Sequence, residues 1–251
     1  MRLEGHHAVV TGGGTGIGAA TARALAAEGA RITLIGRRRE PLEIAATGTG
    51  FFATADVTDR GQVDRAFAEA REMQGPISIL INNAGAAESA PFAKLSQESW
   101  RRMMGVNLDG AFHCCQAALD DLVAAEQGRI VTIASTAGLI GYRYTAAYSA
   151  AKHGAVGLMR ALAAELASTE VTANAVCPGF TDTDLVAQAI SRISDKTGRS
   201  ADEARAELAR LNPQGRLITA EEVANTVLWL CLPESRSMTG QAIIVAGGEV
   251  T

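Results

Sequence analysis

Apolar and polar positions along this chain follow two rhythms. Short runs rich in branched and apolar residues read as strands: His6–Thr11, Arg31–Ile35, Phe51–Ala55, Ile77–Ile81, Arg129–Ala134, Val171–Val176 and Ala242–Val245. Longer stretches with helical spacing lie between them: Ile17–Glu28, Glu40–Ala46, Gln62–Met73, Gln97–Ala125, Tyr148–Ala167 and Glu221–Leu230. Gly29 falls where a glycine commonly stops a helix. Ile77–Ile81 is apolar on both of its alternating faces, which predicts a strand covered from both sides. The Gln97–Ala125 helix is expected to bend near Gly105 or Gly110, because glycine weakens a helix interior. Two or three more helices are expected over Thr183–Leu211.

Repeated strand–helix alternation predicts parallel strands joined by right-handed crossovers, with helices on both sheet faces. No linker or composition break divides the sequence. Residues 1–251 are therefore expected to form one doubly wound α/β domain of about seven strands, with a helical lid at about 184–212. Such sheets bind ligands at the carboxyl ends of their strands, so the loops after the strands are where chemistry is sought.

Composition narrows the classes. The 251 residues carry 27 acidic and 23 basic side chains, a net charge of −4. That argues against a nucleic-acid partner, which would call for a basic surplus. No uncharged run reaches the roughly 18–20 residues of a membrane helix, so no membrane association is expected. The first residues lack the apolar core of a signal peptide, and a cytoplasmic location is expected. Cys114, Cys115, Cys177 and Cys231 read as buried thiols of a reducing compartment. No cysteine or histidine pattern has metal-ligand spacing. His6 and His7 are neighbours in a strand and point to opposite faces. No metal is expected.

The loop after the first strand reads Thr11-Gly12-Gly13-Gly14-Thr15-Gly16-Ile17-Gly18 and opens into a helix. Glycines there let the backbone approach a pyrophosphate, and the helix start adds free N–H groups and partial positive charge. Position between a strand and a helix is the context such a motif needs. After the second strand, a cofactor with a free ribose 2′-hydroxyl would call for Asp or Glu. Here stand Gly36-Arg37-Arg38-Arg39, suited to a 2′-phosphate through charge-assisted forked hydrogen bonds. The other reading of these arginines is a solvated charge run. NADP(H) is favoured, with Arg37 the main contact and Arg38 the second. Asp56 and Val57 follow the third strand, where they would meet an adenine, or Asp56 would cap the next helix. Small residues in Asn82-Asn83-Ala84-Gly85 allow close approach to a ribose.

Tyr148 and Lys152, one of three lysines in the chain, are one helical turn apart. An ammonium near a phenol is expected to lower its pKa from about 10 and make it a general acid near neutral pH. Ser135 ends the preceding strand and could donate to a carbonyl oxygen shared with Tyr148.

Taken together, these residues resemble the classical short-chain dehydrogenases/reductases over essentially the whole chain. The resemblance rests on Thr11-Gly12-x-x-x-Gly16-Ile17-Gly18, Asn82-Asn83-Ala84-Gly85, Asn107, Ser135, Tyr148-x-x-x-Lys152 and Pro178-Gly179. It implies a Rossmann-type domain binding NAD(H) or NADP(H), assembled as a homotetramer or dimer through the helices that carry Asn107 and Tyr148. It implies that Tyr148 is the acid/base, that Ser135 polarises the carbonyl and that Lys152 holds the nicotinamide ribose. It further implies that Asn107 holds a relay water and that Asp56 and Val57 cap the adenine. Pro178, Gly179, Thr181 and Thr183 would embrace the nicotinamide. One position departs from the family's NADP pattern: Thr15 stands where many NADP-preferring members carry Arg or Lys. The preference then rests on Arg37 and Arg38, and NAD(H) stays open.

The stretch from Gly128 to Gly179 is most similar to reductases of 3-oxoacyl thioesters, including actinorhodin-type polyketide ketoreductases. The implied activity is ketone/alcohol interconversion on CH–OH, with a 3-oxoacyl/3-hydroxyacyl substrate linked to CoA or a carrier protein. The alternative is a dehydrogenase of a small secondary alcohol, sugar or cyclic ketone. Substrate choice is expected from 184–212, whose mixed charges suit a solvated lid or a basic approach for a phosphopantetheine tail. Phe180, Leu185, Tyr142 and Tyr144 would line an acyl pocket or serve in packing.

Overall fold

A computed structural model describes residues 1–48 and 50–250; the side chain of Lys196 also lies outside the description. Seven strands alternate with helices. In chain order these are β1 (His7–Thr11), α1 (Gly16–Ala27), β2 (Arg31–Gly36), α2 (Arg39–Ala46), β3 (Gly50–Thr54), α3 (Arg60–Gln74) and β4 (Ile79–Asn82). They continue as α4 (Gln97–Met104), α5 (Gly110–Ala124), β5 (Gly128–Ile133), α6 (Ala146–Glu165), β6 (Val171–Pro178), α7 (Asp184–Thr197), α8 (Ala201–Ala209), α9 (Ala220–Cys231) and β7 (Ala242–Val245). The sheet order is β3-β2-β1-β4-β5-β6-β7, all parallel. Strand order reverses between β1 and β4, which opens a crevice at their carboxyl ends. This is the doubly wound architecture that the alternation predicted, and the Rossmann-type fold that the resemblance implied.

The two sheet faces bury two separate cores. Val63, Phe67, Ala118, Leu122, Met159 and Ala163, from α3, α5 and α6, cover one face. Leu25, Leu42, Val223, Val227 and Leu230, from α1, α2 and α9, cover the other. The four cysteines are free and buried, as their apolar settings predicted. Burial pushes Cys115 and Cys231 up to about 12, so they are inert packing groups.

Four local details refine the sequence reading. The long helix breaks at Gly105–Asp109 into a π-helical turn, at the glycines where a bend was expected. β4 begins at Ile79 rather than Ile77, because Ile77 N–H donates to the Asp121 carboxylate instead of joining the ladder. The helix-capping role open to Asp56 belongs to Asp59, which accepts from Gln62 N at 3.0 Å. Asp56 instead accepts from Thr58 N and Oγ1 at 2.9 and 2.8 Å. Two helices, α7 and α8, fill the 184–212 region, and Val186, Ile190 and Ala204 pack there with Leu217 in a small core of their own. A capping box of Ser200 and Glu203 starts α8.

Candidate active site

The crevice is stitched together by polar side chains at the ends of β1 and β4. Thr11 Oγ1 accepts from the backbone N–H of Asn83 and of Ala84, both at 3.0 Å. Asn83 Nδ2 donates back to the carbonyls of Thr11 and Gly12 at 3.0 and 3.1 Å. Asn83 therefore braces the glycine loop with its side chain. The sequence reading did not single out Thr11, although it opens the glycine motif.

The loop itself has the geometry an anionic ligand needs. Gly12 and Gly16 adopt φ of +62° and +52°, which disfavours other residues. A Cβ on Gly18 would lie 2.3 Å from the Gly12 carbonyl oxygen, so the loop can only close on a glycine. Thr15 precedes α1 in an extended conformation without a side-chain cap, and no acid occupies the first turn. The start of α1, including Ile17, thus offers its N–H groups and partial positive charge to an anion. Thr183 reaches this loop from the far side of the crevice, its methyl 3.0 Å from where a Gly16 Cβ would stand.

At the end of β2, three arginines take different roles. Arg39 lies 5.2 Å over the Phe52 ring and pairs with Glu43 at 3.7 Å. Arg37 is exposed, 3.8 Å from Asp56, at the mouth of the crevice. Arg38 is exposed and makes no ion pair among the described residues. No carboxylate occupies the end of β2, where a 2′-hydroxyl would find its acceptor. Val57 is buried against Gly110, where a Cβ would stand 2.6 Å from Val57 Cγ2.

Farther along the crevice, α6 carries Tyr148 and Lys152 beside Ser135. Ser135 Oγ accepts from Ala137 N at 3.1 Å, which fixes it at the end of β5. Its hydroxyl is close enough to the Tyr148 phenol to favour the phenolate. Burial outweighs that effect and holds the Tyr148 pKa above its ordinary value. This corrects the expected lowering. The Lys152 ammonium donates to the Ile133 carbonyl at 2.7 Å and stands 5.8 Å from the Tyr148 ring centre. Burial pushes Lys152 itself down to about 8.

Asn107 lies in the π-helical turn, buried. Its Nδ2 donates to Ala86 O at 2.9 Å and Met103 O at 3.0 Å, and its Oδ1 accepts from Ala86 N at 3.3 Å. That side chain holds the loop after β4. A cavity of about 10 Å³ adjoins Asn107 and Lys152, room for a single water. Gly85 separates the two, since a Cβ there would stand 2.9 Å from Asn107 Oδ1 and 3.6 Å from Lys152 Nζ.

The loop after β6 closes the site. Gly179 N–H donates to Val245 O at 3.1 Å, and buried Thr181 donates to Gly179 O at 3.0 Å. Asp182 forms a forked ion pair with Arg205, tying this loop to α8. Phe180 meets Tyr142 edge-on at 6.4 Å. Tyr144 is half-exposed and holds a left-handed φ of 68°, a strained conformation for a tyrosine, while its carbonyl accepts from Ala90 N. No cluster of three or more His, Cys, Asp or Glu poised for a metal exists among the described residues.

A phenol, a hydroxyl and a buried ammonium lie here along the same crevice as the glycine loop. Residues 6–193 match the family model described as short chain dehydrogenase. The chain belongs to that family. It is 34% identical over 253 residues to the 3-oxoacyl acyl-carrier-protein reductase of Escherichia coli, covering 99% of this chain and 98% of the relative. It is 35% identical over 255 residues to the D-beta-hydroxybutyrate dehydrogenase of Cupriavidus necator, covering 99% of each. Among solved structures, it superposes on a Phe-to-Trp variant of actinorhodin polyketide ketoreductase with NADPH, at a TM-score of 0.93 and 36% identity, over 97% of both chains.

Proposed function

We propose that this protein is an NADPH-dependent reductase of 3-oxoacyl groups carried as thioesters, forming the 3-hydroxyacyl product. The observation that carries the reading is the Ser135–Tyr148 pair over the buried Lys152 ammonium, in a chain resembling two ketoacyl reductases along its whole length.

The residues present fit the dinucleotide. Gly12, Thr15, Gly16, Ile17 and Gly18 would hold its pyrophosphate at the uncapped start of α1. Arg37 and Arg38 would take a 2′-phosphate, and NAD(H) would lack that contact. Asp56 and Val57 would border the adenine. Asn83, Ala84 and Gly85 would pass beneath the ribose, with Tyr148 and Lys152 against the nicotinamide ribose. Pro178, Gly179, Thr181 and Thr183 would flank the nicotinamide. Once bound, the cofactor supplies the hydride, and the protein supplies orientation and electrostatics.

Ser135 donates to the substrate carbonyl oxygen and steadies the charge that develops there. Tyr148 gives its proton to the same oxygen. A phenol held above its ordinary pKa is fully protonated at neutral pH and ready to donate in the reducing direction. Lys152, in a low-dielectric setting, stabilises the phenolate left behind. The small cavity beside Lys152 and Asn107 gives a water room to return a proton.

A second reading, dehydrogenation of a free 3-hydroxy acid, is favoured by the full-length likeness to the hydroxybutyrate dehydrogenase. Assembly as a homotetramer or dimer is part of the proposal, supported by membership of the family. Among the described residues, no helix is long and apolar enough to cross a membrane. The four buried free thiols support a cytoplasmic location as part of the proposal. Incubation with NADPH and acetoacetyl-CoA, followed by mass spectrometry, tests the function. 3-Hydroxybutyryl-CoA is the expected product, and unchanged substrate would overturn the reading.

A further inference from the structure

The last turn of the described chain returns to the reaction site. Gly247 and Gly248 adopt φ of +61° and +93° and reverse the chain after β7, so that Glu249 N–H donates to Ala246 O at 3.1 Å. A Cβ on Gly247 would collide with Asn212 Oδ1 at 2.1 Å, which makes the turn tight. The turn delivers the Glu249 carboxylate against the wall of the substrate site. Tyr142 Oη lies 2.5 Å from Glu249 Oε1 and 2.9 Å from Thr136 Oγ1. A phenol has one proton, so Tyr142 donates to the carboxylate and accepts from Thr136. Thr136 directly follows Ser135, which sets this cluster next to the reaction site.

The second carboxylate oxygen, Oε2, is buried and has no hydrogen-bond partner. It faces Gly179, where a Cβ would stand 2.5 Å from it. No cation pairs with Glu249 among the described residues. A carboxyl group with no cation partner among the described residues therefore stands in the wall that holds Tyr142 and Phe180.

We infer that Glu249 is a specificity-determining residue whose carboxylate makes the site reject free 3-oxo acids and accept 3-oxoacyl groups whose carboxyl is masked as a neutral ester or thioester. The inference rests on the proposed function and narrows its substrate class. A free 3-oxo acid brings its own carboxylate within a few bonds of the reacting carbonyl, and on this inference it would lie toward the Glu249 side of the site. Like charges several ångströms apart in a protein cleft repel enough to weaken binding by roughly tenfold or more. Partial burial limits the screening of that repulsion by salt.

The test compares ethyl acetoacetate with acetoacetate, each with NADPH, on the wild-type full chain, Glu249→Gln and Tyr142→Phe. The quantity read is the kcat/KM ratio of ester to acid. Glu249→Gln keeps the shape and an acceptor and removes the charge, so the ratio should fall by roughly tenfold, through a lower KM for acetoacetate. Tyr142→Phe removes the hydrogen bond and leaves the charge, so the ratio should stay at or above the wild-type value. A ratio that Glu249→Gln leaves unmoved, with ester turnover present, overturns the inference alone. A ratio that collapses equally in both variants assigns Glu249 a purely packing role and also overturns it. Absence of turnover on the ester and on acetoacetyl-CoA in the wild type overturns the proposed function, and this inference with it.

Discussion

The Lys152 ammonium donates to the Ile133 carbonyl at 2.7 Å, deep under the phenol it is meant to assist. Burial holds Lys152 near 8, against an ordinary 10.5. Between those two pH values the unfolded chain keeps the proton and the folded chain does not. The unfolded state then binds more protons, so stability rises with pH across that window and is flat below it. Lys152→Met removes this titration. The stability difference, wild type minus variant, should climb by up to about 1.4 kcal/mol per pH unit from pH 8 to 10.5 and stay level from pH 6 to 8. Denaturant unfolding across that range measures it; a level difference throughout would contradict a depressed Lys152.

Tyr148→Phe removes the proton proposed to pass to the substrate carbonyl. Turnover with acetoacetyl-CoA should drop by roughly 10²–10⁴-fold, the usual worth of general acid catalysis. NADPH binding, followed by fluorescence titration, should change by no more than a few-fold. Retained turnover would remove Tyr148 from the chemistry.

Arg37 and Arg39 differ in what they already hold, and that difference is measurable. Arg39 is spent on Phe52 and Glu43, while Arg37 is open to the crevice beside Asp56. Arg37→Glu should raise the KM for NADPH by roughly tenfold or more through charge reversal and leave that for NADH within a few-fold. Arg39→Ala should move neither by much. Equal losses for both cofactors in Arg37→Glu would sink the phosphate assignment.

His7 carries an acid-stability prediction. It is fully buried, with Nδ1 2.7 Å from Gly75 O and Nε2 2.9 Å from Thr33 Oγ1. A neutral ring satisfies both, donating to the carbonyl and accepting from the hydroxyl. Burial lowers its pKa below 6.5. As pH falls through 6.5 the unfolded chain takes up a proton that the folded one refuses, so stability drops toward the folded pKa. Thermal melts from pH 7.5 to 5.5 should show a shallower fall for His7→Gln than for the wild type. Parallel curves would contradict the assignment.

Much of this site was legible in the sequence because its parts are local. The glycine loop, the Tyr148–Lys152 turn and the Asn83–Gly85 loop each announce themselves within a few residues, and the strand pattern fixes where they meet. Element ends fell within about two residues of the structure, as with β4 and α3. What escaped depends on distant contacts. Tyr142 and Glu249 are 107 positions apart, and no periodicity joins them. Asn107 could be matched to a motif, yet its clamp on Ala86 follows from a π-helical turn that residue spacing does not encode. The Tyr148 shift was assigned the wrong direction because spacing shows the ammonium four residues away and hides the burial around the phenol.

The central claim is tested most directly by the rate of nicotinamide oxidation when purified protein meets acetoacetyl-CoA, with NADPH and NADH in parallel. NADPH should be oxidised rapidly, at least tenfold above NADH in kcat/KM, since Arg37 has no phosphate to hold on NADH. Absence of turnover with either cofactor, in protein shown to bind NADPH, would contradict the thioester reductase.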